Sequence, residues 1–117
     1  MTTGDYERIR KILIYINEIE EDISEMALED FLTDRKTKYA VSHIVAQIGE
    51  LANKLSKEFR LKHNHISWSG VIGFRNMIVH HYGDISMMRF WGTLKNDIPQ
   101  LKSQLELMIE NNERTNQ

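Results

Sequence analysis

Apolar residues in this chain return every third and fourth position along four successive stretches, and no stretch alternates at the period of two that a half-buried β-strand needs. The first runs from Asp5 to Ile23, with Ile9, Ile12, Leu13, Ile16, Ile19 and Ile23 as its stripe and Asp5 as the expected N-cap. Glu18, Glu20, Glu21 and Asp22 read as its solvated face. The second runs from Thr33 or Asp34 to Phe59, through Val41, Ile44, Val45, Ile48, Leu51, Ala52 and Leu55, with Met26 to Leu32 as a short helical lead-in. Gly49 falls inside this pattern, where it costs roughly 1 kcal/mol relative to Ala, and a close helix crossing would account for it. A polar loop from Arg60 to His65 follows. Ser67 then caps a third helix over Trp68 to Tyr82, stopped by Gly83. The fourth spans Ser86 to Asn111, with Trp91, Leu94, Ile98, Leu101, Leu105 and Met108 or Ile109 inward and a kink expected at Pro99. Asn112 to Gln117 reads as a polar, frayed tail. The expectation is an all-α, up-and-down bundle of four main helices with a kinked last helix.

At 117 residues the chain suits a single domain, 1–117, with enough length to bury a core. A single Pro and six Gly agree with long helices and short links. The absence of Cys removes disulfides, thiolate metal sites and cysteine nucleophiles. No apolar run reaches the length of a membrane span, and Met1 to Asp5 lacks the pattern of a signal peptide, so the chain reads as cytoplasmic. Its net charge of −2 argues against a protein that coats nucleic acid nonspecifically. A role on RNA needs a local basic cleft instead.

The densest chemistry lies in Arg75-Asn76-Met77-Ile78-Val79-His80-His81-Tyr82, which has the form R-x4-H-x-Y. Arg is a natural phosphate clamp, and His is the side chain suited to moving protons near neutral pH. Asn76 and His80, four apart, share a helix face. Arg75 and His80, five apart, are separated by about 140° around an ideal helix. Their convergence needs side-chain reach, a loosened helix end or a second subunit, and a symmetric dimer supplies the last. Such a cleft suits metal-independent RNA cleavage. His80 acts as acid or base, Arg75 stabilises the five-coordinate phosphate and Asn76 orients His80 or donates to a phosphate oxygen. A structural reading of the same residues stands beside this one. His80 and His81 also suit the negative end of a helix dipole, Arg75 can pair with an acid such as Glu50, and Tyr82 can be a core aromatic. Elsewhere, His43 reads as a partly buried structural imidazole. Arg35, Lys36 and Lys38 form a small basic cluster that reads as a solvated face. His63-x-His65 lacks the further ligands of a metal site. No metal and no cofactor are expected.

More than one motif is shared with a known family. Phe31-Leu32-Thr33-Asp34-Arg35 with Ala40, Ile48-Gly49-Glu50-Leu51-Ala52, Trp68 followed by Gly73-Phe74-Arg75-Asn76, and Trp91 with Asn96-Asp97-Ile98-Pro99 occur in order along nearly the whole chain. Together with R-x4-H-x-Y they resemble the HepT-like toxins of the HEPN superfamily, with Phe74 where the family has Met. The resemblance implies a compact HEPN-type bundle, a homodimer with the motif at its interface, and an endoribonuclease toxin of a toxin–antitoxin pair. By motif position it implies Arg75 and His80 as catalytic, Asn76 as a supporting residue, and Tyr82 as the tyrosine that an MntA-like nucleotidyltransferase antitoxin modifies with AMP from ATP. His81 is an extra imidazole beside the motif, able to support or partly replace His80. The alternatives are a non-catalytic HEPN protein that binds nucleotide or a nucleotidyltransferase, and a helical adaptor in which the R-x4-H surface is buried within one subunit.

Overall fold

A computed structural model describes residues 1–115. The described residues form α1 (Thr3–Ile23), α2 (Leu28–Thr33), α3 (Arg35–Lys54), α4 (Lys57–Lys62), α5 (Trp68–His81), α6 (Met87–Gly92) and α7 (Ile98–Thr115). They contain no strand.

The stripe of α1 is buried as its spacing requires: Ile9, Ile12, Ile16, Ile19 and Ile23 all face the core. Val41, Val45, Ile48 and Ala52 meet them from α3, and Leu101, Leu105, Met108 and Ile109 from α7. Five side-chain contacts give the directions of the long helices. Asp5, at the start of α1, accepts hydrogen bonds from the amide (2.9 Å) and hydroxyl (2.7 Å) of Ser56, just beyond the end of α3. Lys102 pairs with Glu20 at 2.7 Å, while Tyr6 donates to Glu113 at 2.9 Å, so α7 runs back along α1. Arg75 of α5 meets Glu50 of α3, and Tyr82 meets Tyr39, so α5 runs back along α3. The four long helices are therefore up-and-down, in the spatial order α5, α3, α1, α7. Phe31 of α2 packs edge-on against Phe90 of α6 and against Trp91, joining the two short helices over one end of the core.

Several boundaries differ from the periodicity. Thr2, not Asp5, caps α1, its hydroxyl accepting from the Asp5 amide at 3.0 Å. The Asp5 side chain turns inward instead. Burial pushes its carboxyl up, but the hydrogen bonds from Ser56, with Thr2 and Arg8 adding to them, hold it below the usual carboxylate range. The long second stretch is two helices. Leu55 is extended (φ −62°, ψ 143°), and Ser56 starts α4 by accepting from the Phe59 amide at 3.1 Å. Leu55 and Phe59 remain buried, so the apolar pattern runs unbroken through a real break in the helix. The expected polar loop is accordingly the end of α4 and a short turn. Ser67 does cap α5, accepting from the Gly70 amide. Gly83 does not end it with a left-handed residue, because the chain tightens into a 3₁₀ turn over Tyr82–Asp84 with no positive φ. The distortion expected at Pro99 lies just upstream, as a π turn over Thr93–Asp97. It widens the helix where the Pro99 ring would meet the carbonyl four residues earlier. The tail expected to fray is helical as far as Thr115, and its last two positions, 116–117, lie outside the described residues.

Candidate active site at the α3–α5 crossing

The tight approach of α5 to α3 is built on Gly49. A Cβ there would fall 2.2 Å from the Cβ of Arg75, 2.9 Å from its Cγ and 3.1 Å from the Val71 carbonyl oxygen. Only glycine lets α5 settle this close to α3, which offsets its low helix propensity. The crossing places the Arg75 side chain beside the next residue of α3. Its Nε lies 3.0 Å from Glu50 Oε2, and its Nη1 donates to Asn76 Oδ1 at 2.8 Å. The Arg75 side chain is 30% exposed and that of Glu50 39%, so solvent screens the pair and it contributes at most about 1 kcal/mol. It aims the guanidinium more than it locks it. Of roughly five N–H donors on an Arg, the ones left over remain available to an anion.

Val71, Arg75, Ile78 and Tyr82 follow one another at four, three and four residues and form the side of α5 that faces α3. His80 stands nine residues from Val71, about 180° around the helix, and is exposed on the opposite side. Asn76 shares that outer side. Gly73 lies there too, with nothing within 4 Å of the position its Cβ would take, and so does Met77, 48% exposed. One subunit thus joins Arg75 to Asn76 and sets Tyr82 on the Arg75 side, but it does not bring His80 to Arg75. His81 is exposed and turned toward Asp84, with 3.9 Å between Nδ1 and Oδ2. Tyr82 is half-buried, its ring 5.5 Å from that of Tyr39 and inclined at 51°.

Other sequence candidates fall elsewhere. His43 is exposed rather than partly buried, because it sits on the outer edge of the α3 face toward α5. Lys38 is not a free member of the basic cluster, since its Nζ donates to the Leu32 carbonyl at 2.9 Å and closes the end of α2. Arg35 and Lys36 are exposed. His63 packs on Phe59, with ring centroids 4.5 Å apart, and 6.1 Å separates it from His65. Burial, aided by His65 and Lys62, holds its imidazole below the usual range. No group of three or more His, Asp or Glu among the described residues is placed to hold a metal ion. No helix among them is long and apolar enough to cross a membrane. Tyr39 was not singled out by any motif. The signal for it was its spacing from Glu50, eleven residues or three helical turns along one face.

Comparison with known proteins identifies the family. The family model described as "Ribonuclease HepT-like" matches residues 12–108. A Methanocaldococcus jannaschii protein named "Putative RNase" is 32% identical over 99 residues, covering 85% of this chain and 85% of its own length. A Thermococcus cleftensis protein named "Probable ribonuclease HepT" is 36% identical over 88 residues, covering 75% of this chain and 80% of its own. A Caldanaerobacter subterraneus protein, also named "Putative RNase", is 30% identical over 90 residues, covering 77% and 80%. No solved structure gives a significant match. With nearly the whole bundle matched, including both helices of the crossing, the chain belongs to the ribonuclease HepT-like family of the HEPN superfamily.

Proposed function

We propose that this protein is a metal-independent endoribonuclease toxin that works as a homodimer, with Arg75 and His80 as its catalytic residues. Beyond family membership, one observation carries the reading: α5 is apolar on nearly every side, yet in one subunit only Trp68 and Ile78 of it are buried. A helix that is apolar all round belongs in an interior. Its outer side exposes Gly73, Asn76, Met77 and His80, with open space at Gly73, and a second copy can pack there about a two-fold axis. Such a dimer joins two Arg75 and two His80 in one cleft, which the helix geometry of one subunit does not allow.

In that cleft a neutral His80 takes the proton of a ribose 2′-hydroxyl. The oxygen attacks the adjacent phosphorus, and Arg75 stabilises the added charge on the phosphoryl oxygens. The bond from phosphorus to the 5′-oxygen breaks, and a protonated imidazole returns a proton to that oxygen. The products are a 2′,3′-cyclic phosphate and a 5′-hydroxyl, and DNA is not cut because it lacks the nucleophile. Asn76 keeps Arg75 directed toward the outer side of α5.

Neutralisation follows from the position of Tyr82. The phenol oxygen attacks the α-phosphorus of ATP held by a nucleotidyltransferase antitoxin, pyrophosphate leaves, and the phenolic proton passes to solvent. Each AMP adds a negative phosphodiester and a base beside a cleft meant for RNA phosphate. Tyr82→Phe retains cleavage and takes up no AMP, as read by intact mass after incubation with the antitoxin and ATP. AMP found on the Tyr82→Phe protein would place the modification elsewhere.

The Arg75–Glu50 pair favours a second reading, a non-catalytic HEPN protein that binds a nucleotidyltransferase or a nucleotide. The test is cleavage of a mixed-sequence RNA in EDTA by the unmodified protein and by His80→Ala, with end-group analysis. Cleavage by the former alone, leaving cyclic phosphate, supports the ribonuclease. Inactivity of both, from protein whose mass excludes AMP, supports the binding protein.

A further inference from the structure

The face of α3 that touches α5 continues beyond the contact into solvent. Tyr39 and Glu50 lie on one line of that helix, since eleven residues bring the backbone round to nearly the same angle. Each has its partner on α5, Tyr82 and Arg75. His43, one turn from Tyr39 and exposed, lies on the same face between them. One turn to the other side stand Arg35 and Lys36, both exposed, and neither takes part in an ion pair among the described residues. Tyr39 itself is 56% exposed although its ring rests against Tyr82. The resulting strip reads, in order, Arg35 and Lys36, Tyr39 with Tyr82 beneath it, His43, and Arg75. It sets the cations Arg35 and Lys36 on one side of an aromatic ring and the Glu50-paired Arg75 on the other, on a protein whose net charge is −2.

We infer that this strip is the track for single-stranded RNA and that Tyr39 is the ring on which a nucleobase stacks. The inference rests on the ribonuclease reading and deepens it. Single-stranded RNA is held by stacking its unpaired bases on aromatic side chains while cations follow the backbone. Tyr39 meets the first requirement, because one edge is braced by Tyr82 while more than half of the residue stays open. Arg35 and Lys36 meet the second on one flank and Arg75 on the other. Arg75 and Tyr82 are seven residues apart on α5, about 10 Å of helix rise, and Tyr39 and Glu50 are eleven apart on α3, about 16 Å, a span of one to three nucleotides. A base on Tyr39 therefore belongs to a nucleotide within three residues of the phosphate that Arg75 contacts. Tyr39 acts as a positioning residue, and its contact sets preference for unpaired over duplex RNA. AMP attached to Tyr82 would lie against the same ring, which explains how one modification can block the track.

The test uses the His80→Ala protein, which leaves the RNA intact, and a short single-stranded RNA carrying a fluorescein at one end and one 2-aminopurine within it. Anisotropy reads affinity, and 2-aminopurine quenching reads stacking. Tyr39→Phe binds and quenches as the parent does. Tyr39→Ala and Tyr39→Leu bind about 10-fold more weakly, the scale of one lost base stack, and lose the quenching. Tyr39→Leu keeps an apolar side chain against Tyr82, and circular dichroism confirms that its helices are intact. Arg35→Glu with Lys36→Glu weakens binding and flattens its salt dependence without altering the quenching of what does bind. If the parent binds and quenches, and Tyr39→Leu does so equally, the stacking role is overturned while the ribonuclease reading stands. If the parent binds no single-stranded RNA, the ribonuclease reading falls and the track falls with it.

Discussion

Gly49 shows how much can rest on a missing side chain. Its neighbour across the crossing is the Cβ of Arg75, 2.2 Å from where a methyl group would sit, and that atom is the rigid root of the side chain, unable to swing aside. Gly49→Ala must push α5 away from α3, so it costs about 1–3 kcal/mol as an overpacked contact, despite the better helix propensity of Ala. Urea denaturation checks the stability. RNA cleavage falls further than stability requires, because the same displacement moves the guanidinium. Gly92→Ala is the internal control, since its added methyl meets nothing within 4 Å and lies away from the proposed dimer surface. His63 makes a different residue-scale prediction. Burial lowers its proton affinity in the folded protein, with His65 and Lys62 adding to the effect. The unfolded chain, with a value near 6.5, then protonates first as pH falls. The stability that depends on neutral His63 is thus intact above that value and is lost as pH drops toward the lower, folded value. Thermal melts in a pH series should show the decline, and His63→Gln should make it shallower.

At the scale of the element, the break between α3 and α4 is the informative one. The apolar spacing continues through Leu55 and Phe59, so periodicity alone carries one helix across a point where there are two. What divides them is polar. Ser56 caps α4 with its hydroxyl oxygen, and its own amide and hydroxyl proton go to the buried carboxylate of Asp5, 51 residues away in sequence. Ser56→Ala removes the cap and strips one hydrogen bond from a buried charge. Each effect costs about 1–2 kcal/mol, and the combined loss appears as a lowered urea midpoint. Hydrogen exchange should quicken first in α4 and at the start of α1, where the tie is anchored. The π turn before Pro99 is the contrasting case. There the sequence does mark the irregularity, because a proline cannot sit inside a regular helix, but it does not mark on which side the distortion will fall.

The whole molecule leaves its most apolar short segment incompletely covered. Met77 and Val79 of α5 are 48% and 51% exposed, on either side of His80 around the helix. In the proposed dimer they become interior. Met77→Glu places a charge on that surface while leaving the buried core residues in place. The variant should remain folded by circular dichroism, elute as a monomer where the parent elutes as a dimer, and lose RNA cleavage together with dimerisation. Full cleavage by a monomeric Met77→Glu protein would mean that one subunit completes the site, against the helix geometry that separates Arg75 from His80.

Much of this was legible in the sequence, because helix period, serine caps and inward stripes depend on residues close together in the chain. The buried faces of α1 and α7, the Ser67 cap of α5 and the angular separation of Arg75 from His80 follow from residues along one helix, and Gly49 inside an apolar pattern marked a close crossing without naming its partner. The family motifs could likewise be read directly, since they are strings of residues. What only the tertiary structure decided involves partners distant in the chain: the inward turn of Asp5 onto Ser56 and the seating of Tyr39 against Tyr82. Local pattern specifies which face of a helix is apolar, but the neighbour that meets a polar or aromatic side chain on that helix is set by how the helices cross.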